Sequence, residues 1–257
     1  MDLGIKGKRA VVTGGGRGIG RAIAYNLAKE GARVAVISRT ESDLVSLVKQ
    51  IGGKRKGHYY IVSDLTKPGS PKKVYNELQD RFGEIEILVN NLGDSLYIKD
   101  PYCCLDDWQK LYRINLEVTI ELNNLVIPSM KEKKWGRIVN ISSIASLENQ
   151  GPAPFCSMKA ALTAYSRSMG RILAKDGIIM VAVLPGAVFT KNGYWDITSK
   201  TNPEHVKKYL NERMAIKRFG TLDEVGTVVA FFCSQYASFC VGSAIVVDGG
   251  QGISFQQ

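Results

Sequence analysis

Short, wholly apolar runs alternate along this chain with stretches whose apolar residues recur every three or four positions, and that alternation predicts its architecture. Residues 10–12 (Ala-Val-Val) suit a buried strand, after which Ile19, Ile23 and Leu27 share one face of a helix. Further strands are expected over 33–37, 59–62, 85–89, within 136–143, over 178–184 and over 244–247. Between them lie helical patterns: Val74, Leu78 and Phe82; Leu162, Tyr165, Met169 and Leu173 on a long helix over 160–173; and a last helix over 222–234. Strand and helix in turn predict an α/β, Rossmann-like, doubly wound parallel sheet of about seven strands. No linker or charge block divides the 257 residues, so a single domain over 1–257 is expected, with a polar, irregular substrate lid at about 187–215.

In such sheets ligands sit beyond the carboxyl ends of the strands, and the first strand ends in Thr13 to Gly20, TGGGRGIG. Without side chains at Gly14 and Gly18 the backbone can turn sharply under a pyrophosphate, while Gly20 lets the helix pack close. The spacing is G-x-x-x-G-x-G, which departs from the common dinucleotide fingerprint, and an ordinary tight turn is the competing reading. The strand and helix flanking the loop favour nucleotide binding. The second strand ends in Ser38-Arg39, where an acid would take the ribose 2'-hydroxyl of NAD and an arginine suits the 2'-phosphate of NADP. No acid stands there. Ser38, Arg39 and Arg17 therefore favour NADP(H) over NAD(H), against the reading that both arginines are solvated. Asp64, after the third strand, either accepts from an adenine amino group or holds the turn before Pro68.

Composition narrows the function. Hydrophobic residues make up 45% and charged residues 23%, the values of a globular chain. No apolar leader or 18-residue apolar run appears, so a cytoplasmic protein with no membrane partner is expected. Five cysteines and two histidines show no zinc or disulfide spacing, which argues against a metal site. The net charge of +10 is scattered, so an anionic small molecule explains it at least as well as nucleic acid.

TGGGRGIG, Asp64-Leu65, NNLG at 90–93, Asn115, GRIVNISS at 136–143, Lys159, Pro185-Gly186 and VDGG at 247–250 together make the chain resemble the short-chain dehydrogenase/reductase family. The likeness spans nearly the whole chain. It implies a cofactor site of Gly14, Gly16, Arg17, Gly18, Ile19, Gly20, Ser38, Arg39, Asp64, Leu65, Asn91, Gly93, Lys159, Pro185, Gly186, Val188 and Thr190, with Asn90 supporting the sheet. It further implies that Ser143 binds the substrate oxygen and that Asn115 positions a water linking Lys159 to solvent. Lys159 would hold the nicotinamide ribose and lower the pKa of a catalytic tyrosine.

That tyrosine should stand at 155, one helical turn before Lys159, and the residue there is Phe155. Four readings follow. Phe155 is an inactivating substitution in an otherwise ordinary site; or the enzyme needs no tyrosine, as in hydride addition to a conjugated double bond; or Cys156 or Ser157 donates instead; or the protein binds a nucleotide without turnover. The intact Asn115, Ser143 and Lys159 rank the first highest and the second next. Cys156 and Ser157 rank low because neighbouring positions on a helix point elsewhere. With Ser143 and Phe155, Lys191, Tyr194 and Trp195 are the expected substrate contacts, and they lean towards a sugar phosphate or nucleotide-linked sugar. The resemblance also implies a homo-oligomer, a tetramer or dimer, paired through the helix after Lys159. The expected activity is NADP(H)-dependent interconversion of a secondary alcohol and a ketone.

Overall fold

The computed structural model describes residues 2–254. Seven parallel strands, β1 Arg9–Thr13, β2 Arg33–Ser38, β3 Tyr59–Val62, β4 Ile87–Asn90, β5 Gly136–Ile141, β6 Ile178–Pro185 and β7 Ala244–Val247, form one sheet in the order 3-2-1-4-5-6-7. The order reverses between β1 and β4, where Val11 pairs with Ala35 on one side and with Leu88 on the other. That reversal opens a crevice at the carboxyl ends of the strands.

The apolar runs are continuous because both faces of the sheet are covered. On one face, Val12, Val34 and Val36 pack with helices α1 (Gly18–Lys29), α2 (Glu41–Gln50) and the C-terminal helix α9 (Leu222–Phe232). On the other, Val11, Ala35 and Ile37 pack with α3 (Ser70–Arg81), α5 (Val118–Glu132) and α6 (Ala153–Leu173). α9 lies against α1 so closely that a Cβ at Gly226 would come within 3.0 Å of the Ala22 carbonyl, and Asn26 Nδ2 donates to Asp223 Oδ1 across the pair at 2.8 Å. A capping box between Thr221 and Glu224 starts α9. Beneath the crevice, Asn90 Nδ2 donates to Asn123 Oδ1 and Asn140 Oδ1, and Asn140 Nδ2 donates to Ser166 Oγ, so a buried amide cluster joins β4 and β5 to α5 and α6.

Several expectations need correction. β4 is Ile87–Asn90 rather than 85–89, because its ladder with β1 begins at the Ala10–Ile87 pair. α6 starts at Ala153, well before 160, so positions 155 and 159 share one helix, and α9 ends at Phe232. The lid is not irregular. It holds two helices, α7 Tyr194–Thr201 and α8 Pro203–Arg213, and Asn202 Oδ1 caps α8 by accepting from the His205 amide at 3.1 Å. Asn115 lies on a π-turn, Arg113–Glu117, between α4 (Leu105–Tyr112) and α5. Among the described residues no helix is long and apolar enough to cross a membrane.

Candidate active site

At the reversal of strand order the glycine loop rests on β4. Gly14 turns with φ +63°, and a Cβ at Gly20 would meet the Gly14 carbonyl oxygen and Asn91 Nδ2 at 2.4 Å, so no other residue fits there without rearrangement. Asn91 Nδ2 donates to the carbonyls of Thr13 and Gly14, and the amides of Asn91 and Leu92 donate to Thr13 Oγ1. Beyond this loop lies a cavity lined by Gly14, Gly16, Arg17, Ser38, Arg39, Asp64 and Leu65. Ser38 Oγ is buried there and makes no hydrogen bond to any of the described residues. Gly16 brings the loop against it, since a Cβ at Gly16 would sit 2.7 Å from that oxygen. Asp64 holds its own turn, its Oδ1 accepting from the amide and hydroxyl of Thr66, and bonds from Thr66 keep its carboxyl below the ordinary carboxylate range. An acid absent from the sequence argument also lines this cavity: Asp43, on the first turn of α2, binds Arg17 Nε.

At the other end of the crevice, Ser143, Phe155, Lys159, Ile19, Asn91, Gly93, Pro185, Gly186 and Thr190 line one cleft. Ser142 faces inward, bonded to the Lys159 carbonyl and to Thr163, while Ser143 Oγ accepts the Ala145 amide and keeps its own proton available. Lys159 is 4% exposed and its ammonium donates to the Ile141 carbonyl at 3.0 Å. Burial pushes its pKa down to about 8, with Asp94 opposing the shift. The ammonium lies 5.7 Å from the centre of the Phe155 ring. A Cβ at Gly93 would come within 2.7 Å of Lys159 Nζ and 2.9 Å of Asn115 Oδ1, so the glycine leaves room where the three converge. The Asn115 side chain pairs in both directions with the backbone of Asp94, donating to its carbonyl at 2.8 Å and accepting from its amide at 3.1 Å. Cys156 and Ser157 do not line this cleft, and Ser157 Oγ donates to the Ala153 carbonyl.

Adjoining the Ser143 side is a cavity of about 730 Å³ walled by the lid. Tyr194 and Trp195 line it as expected, but Lys191 does not. Val188 lines none of these cavities; it bridges to Gly220 and packs against the core. Trp195 is stacked among Tyr209 at 4.2 Å, Phe219 at 4.8 Å and His205 at 6.3 Å between ring centres. Aromatic contacts between the two helices and Phe219 thus hold the lid together. Gln251, 6% exposed, ties it to the body of the protein by binding the Ala187 amide, Gln150 and Tyr209.

The sequence model of the short chain dehydrogenases matches residues 8–196. The 3-oxoacyl-(acyl-carrier-protein) reductase FabG of Aquifex aeolicus is 34% identical over 256 residues, covering 97% of this chain and 99% of that protein. The chain belongs to the short-chain dehydrogenase family. Among solved structures, this short-chain dehydrogenase is similar to L-sorbose reductase from Gluconobacter frateurii complexed with NADPH and L-sorbose, at a TM-score of 0.90 and 29% identity over 99% of this chain and 100% of that one. It is also similar to a 3-oxoacyl (acyl-carrier-protein) reductase from Agrobacterium tumefaciens C58 with NADP bound, at 0.89 and 27% over 97% of this chain and 96% of that one. Like these relatives it is an oxidoreductase. Sequence reasoning missed Asp43, Lys99, Tyr209 and Gln251, all of which line the site. Only the Asn202-Pro203 step, a helix-start signal, could have pointed to the lid helix that carries Tyr209.

Proposed function

We propose that this short-chain dehydrogenase uses NADP(H) to interconvert a ketone and a secondary alcohol on a small polyhydroxylated substrate, and that Phe155 leaves it without its proton donor. The observation that carries the reading is the convergence of Ser143, Lys159 and the Phe155 ring in one cleft beside Pro185-Gly186. The choice of NADP(H) is supported by the buried, unpartnered Ser38 Oγ next to Arg39 and Arg17, together with the NADP and NADPH bound by similar proteins.

The backbone at Gly14, Gly16 and Gly18 would hold the pyrophosphate, Ser38 and Arg39 the 2'-phosphate, and Lys159 the nicotinamide ribose, with Thr190 at the nicotinamide corner. When bound, the nicotinamide supplies or accepts the hydride. Ser143 donates its free proton to the substrate oxygen and orients the carbonyl over the cleft. Lys159 presents positive charge beneath position 155, where a phenol would be eased towards ionisation and a phenyl ring has no proton to give. Asn115 holds the segment at Asp94 that closes the cleft opposite.

The aromatic and amide wall of Tyr194, Trp195, Gln150 and Tyr209 suits the alternating faces and hydroxyls of a sugar. Of the basic residues near that wall, Lys99 and His205 line it, so a sugar phosphate is the anionic variant of the same reading. The test is NADPH oxidation by this chain beside Phe155→Tyr, on keto sugars, sugar phosphates, simple ketones, a 3-oxoacyl thioester and enones. Turnover of carbonyls that rises roughly 10²-fold or more with tyrosine supports the reading. Equal turnover by both forms overturns it, and activity confined to enones would establish conjugate reduction in its place.

A further inference from the structure

The hydrogen bonds around Gln251 run in one direction, and one backbone group sets it. The Ala187 amide lies 2.7 Å from the Gln251 side-chain oxygen, and a backbone N–H can only donate, so that oxygen is the Oε1 acceptor. Both protons on Nε2 are then committed, one to Gln150 Oε1 at 2.6 Å and one to Tyr209 Oη at 2.6 Å. Gln150 agrees with this polarity: with its oxygen accepting, its Nε2 faces the Glu148 carboxylate, which can only accept when ionised. The amides of Ile253 and Ser254 donate to the same carboxylate.

The consequence falls on Tyr209. Its oxygen accepts from an amide nitrogen that has no lone pair to offer in return, so the phenolic proton must point elsewhere. Among the described residues Tyr209 Oη donates to none. The ring is held by Trp195 and Phe219 and lines the same cavity as Ser143. Burial raises the pKa of the phenol, which keeps that proton in place across the neutral range.

We infer that Tyr209 is a specificity-determining residue that donates its hydroxyl proton to a substrate oxygen other than the reacting carbonyl, so that the cavity selects hydroxylated ketones over plain ones. The inference rests on the proposed ketone site and adds the feature that site recognises. Ser143 addresses the reacting oxygen, and Tyr209, from the lid, addresses a second.

Binding of L-sorbose and of cyclohexanone, measured by calorimetry at saturating NADP+ so that no turnover occurs, tests this. Tyr209→Phe is expected to weaken L-sorbose about tenfold and to leave cyclohexanone within about twofold, with NADP+ affinity unchanged and the melting temperature lowered by the loss of the Gln251 bond. Gln251→Glu offers Tyr209 an acceptor, turns the proton away from the cavity, and should cost the same affinity for L-sorbose. The double variant should then lose no more than either single one. Unchanged L-sorbose affinity in Tyr209→Phe overturns the inference alone, as does an equal loss for cyclohexanone, which would make Tyr209 a wall rather than a donor. If the unsubstituted protein binds neither ketone, the proposed ketone site falls and the inference with it.

Discussion

The two ends of β5 each bury a cation, and they treat it in opposite ways. At the amino end, Arg137 is 3% exposed, donates through Nε to the Ser234 carbonyl and through Nη1 to those of Gly136 and Gly177, and stacks on Trp135 at 4.7 Å. At the carboxyl end, Lys159 is almost as buried and has one acceptor among the described residues, the Ile141 carbonyl. Burial lowers the pKa of both groups. A buried charge surrounded by carbonyls is part of the structure, whereas one left with free protons beside a cleft is held ready for something that enters.

Phe155→Tyr would sharpen that contrast most, because it adds a phenol beside the ammonium. A gain of about 10² to 10⁴ in ketone turnover is expected, read from steady-state kinetics. Next in size, Arg137→Ala leaves three carbonyls short of a donor and should cost about 3 kcal/mol in a denaturant titration, with NADP(H) affinity little changed. Lys159→Met should do the reverse. It removes a group whose folded pKa of about 8 lies below its ordinary 10.5, a mismatch that costs stability fully below pH 8 and disappears above 10.5. Stability at pH 7 should therefore hold or rise, by up to about 3 kcal/mol, while NADP(H) binding weakens roughly tenfold.

Smaller effects follow from the same residue. NADP(H) affinity should fall severalfold as pH rises through about 8, where the ammonium loses its charge, and this limb should vanish in Lys159→Met. Gly93→Ala crowds both Lys159 Nζ and the fixed Asn115 Oδ1, so it should weaken the cofactor by a smaller factor and also lower stability. If Lys159→Met reduced stability as Arg137→Ala does, the distinction between the two ends of the strand would be lost.

Much of this arrangement was legible in the sequence, and what was not has a physical pattern. The glycine loop and the seven strands follow from local periodicity and from motifs at strand ends, while Ser143 and Lys159 were singled out by the resemblance to the family. Asp43 escaped notice because its partner Arg17 is distant in sequence, and Gln251 because its three partners come from three separate segments. The lid looked irregular because its helices pack through aromatic rings on one another, and few of their residues reach a buried core. The π-turn at Asn115 leaves no apolar signature, being a matter of one extra residue in a helical path.

The close seating of α9 on α1 bears on how the protein is made. The ribosome delivers the glycine loop long before the helix that covers the back of α1, which begins only at Leu222. A nascent chain halted before that point has every glycine of the loop but leaves the Ala22 and Asn26 side of α1 uncovered. Long-range closure of this kind is slow to form and exposes sticky surface meanwhile. Capture of the nucleotide accordingly waits for α9, and stalled chains ending before residue 222 should not retain NADP(H).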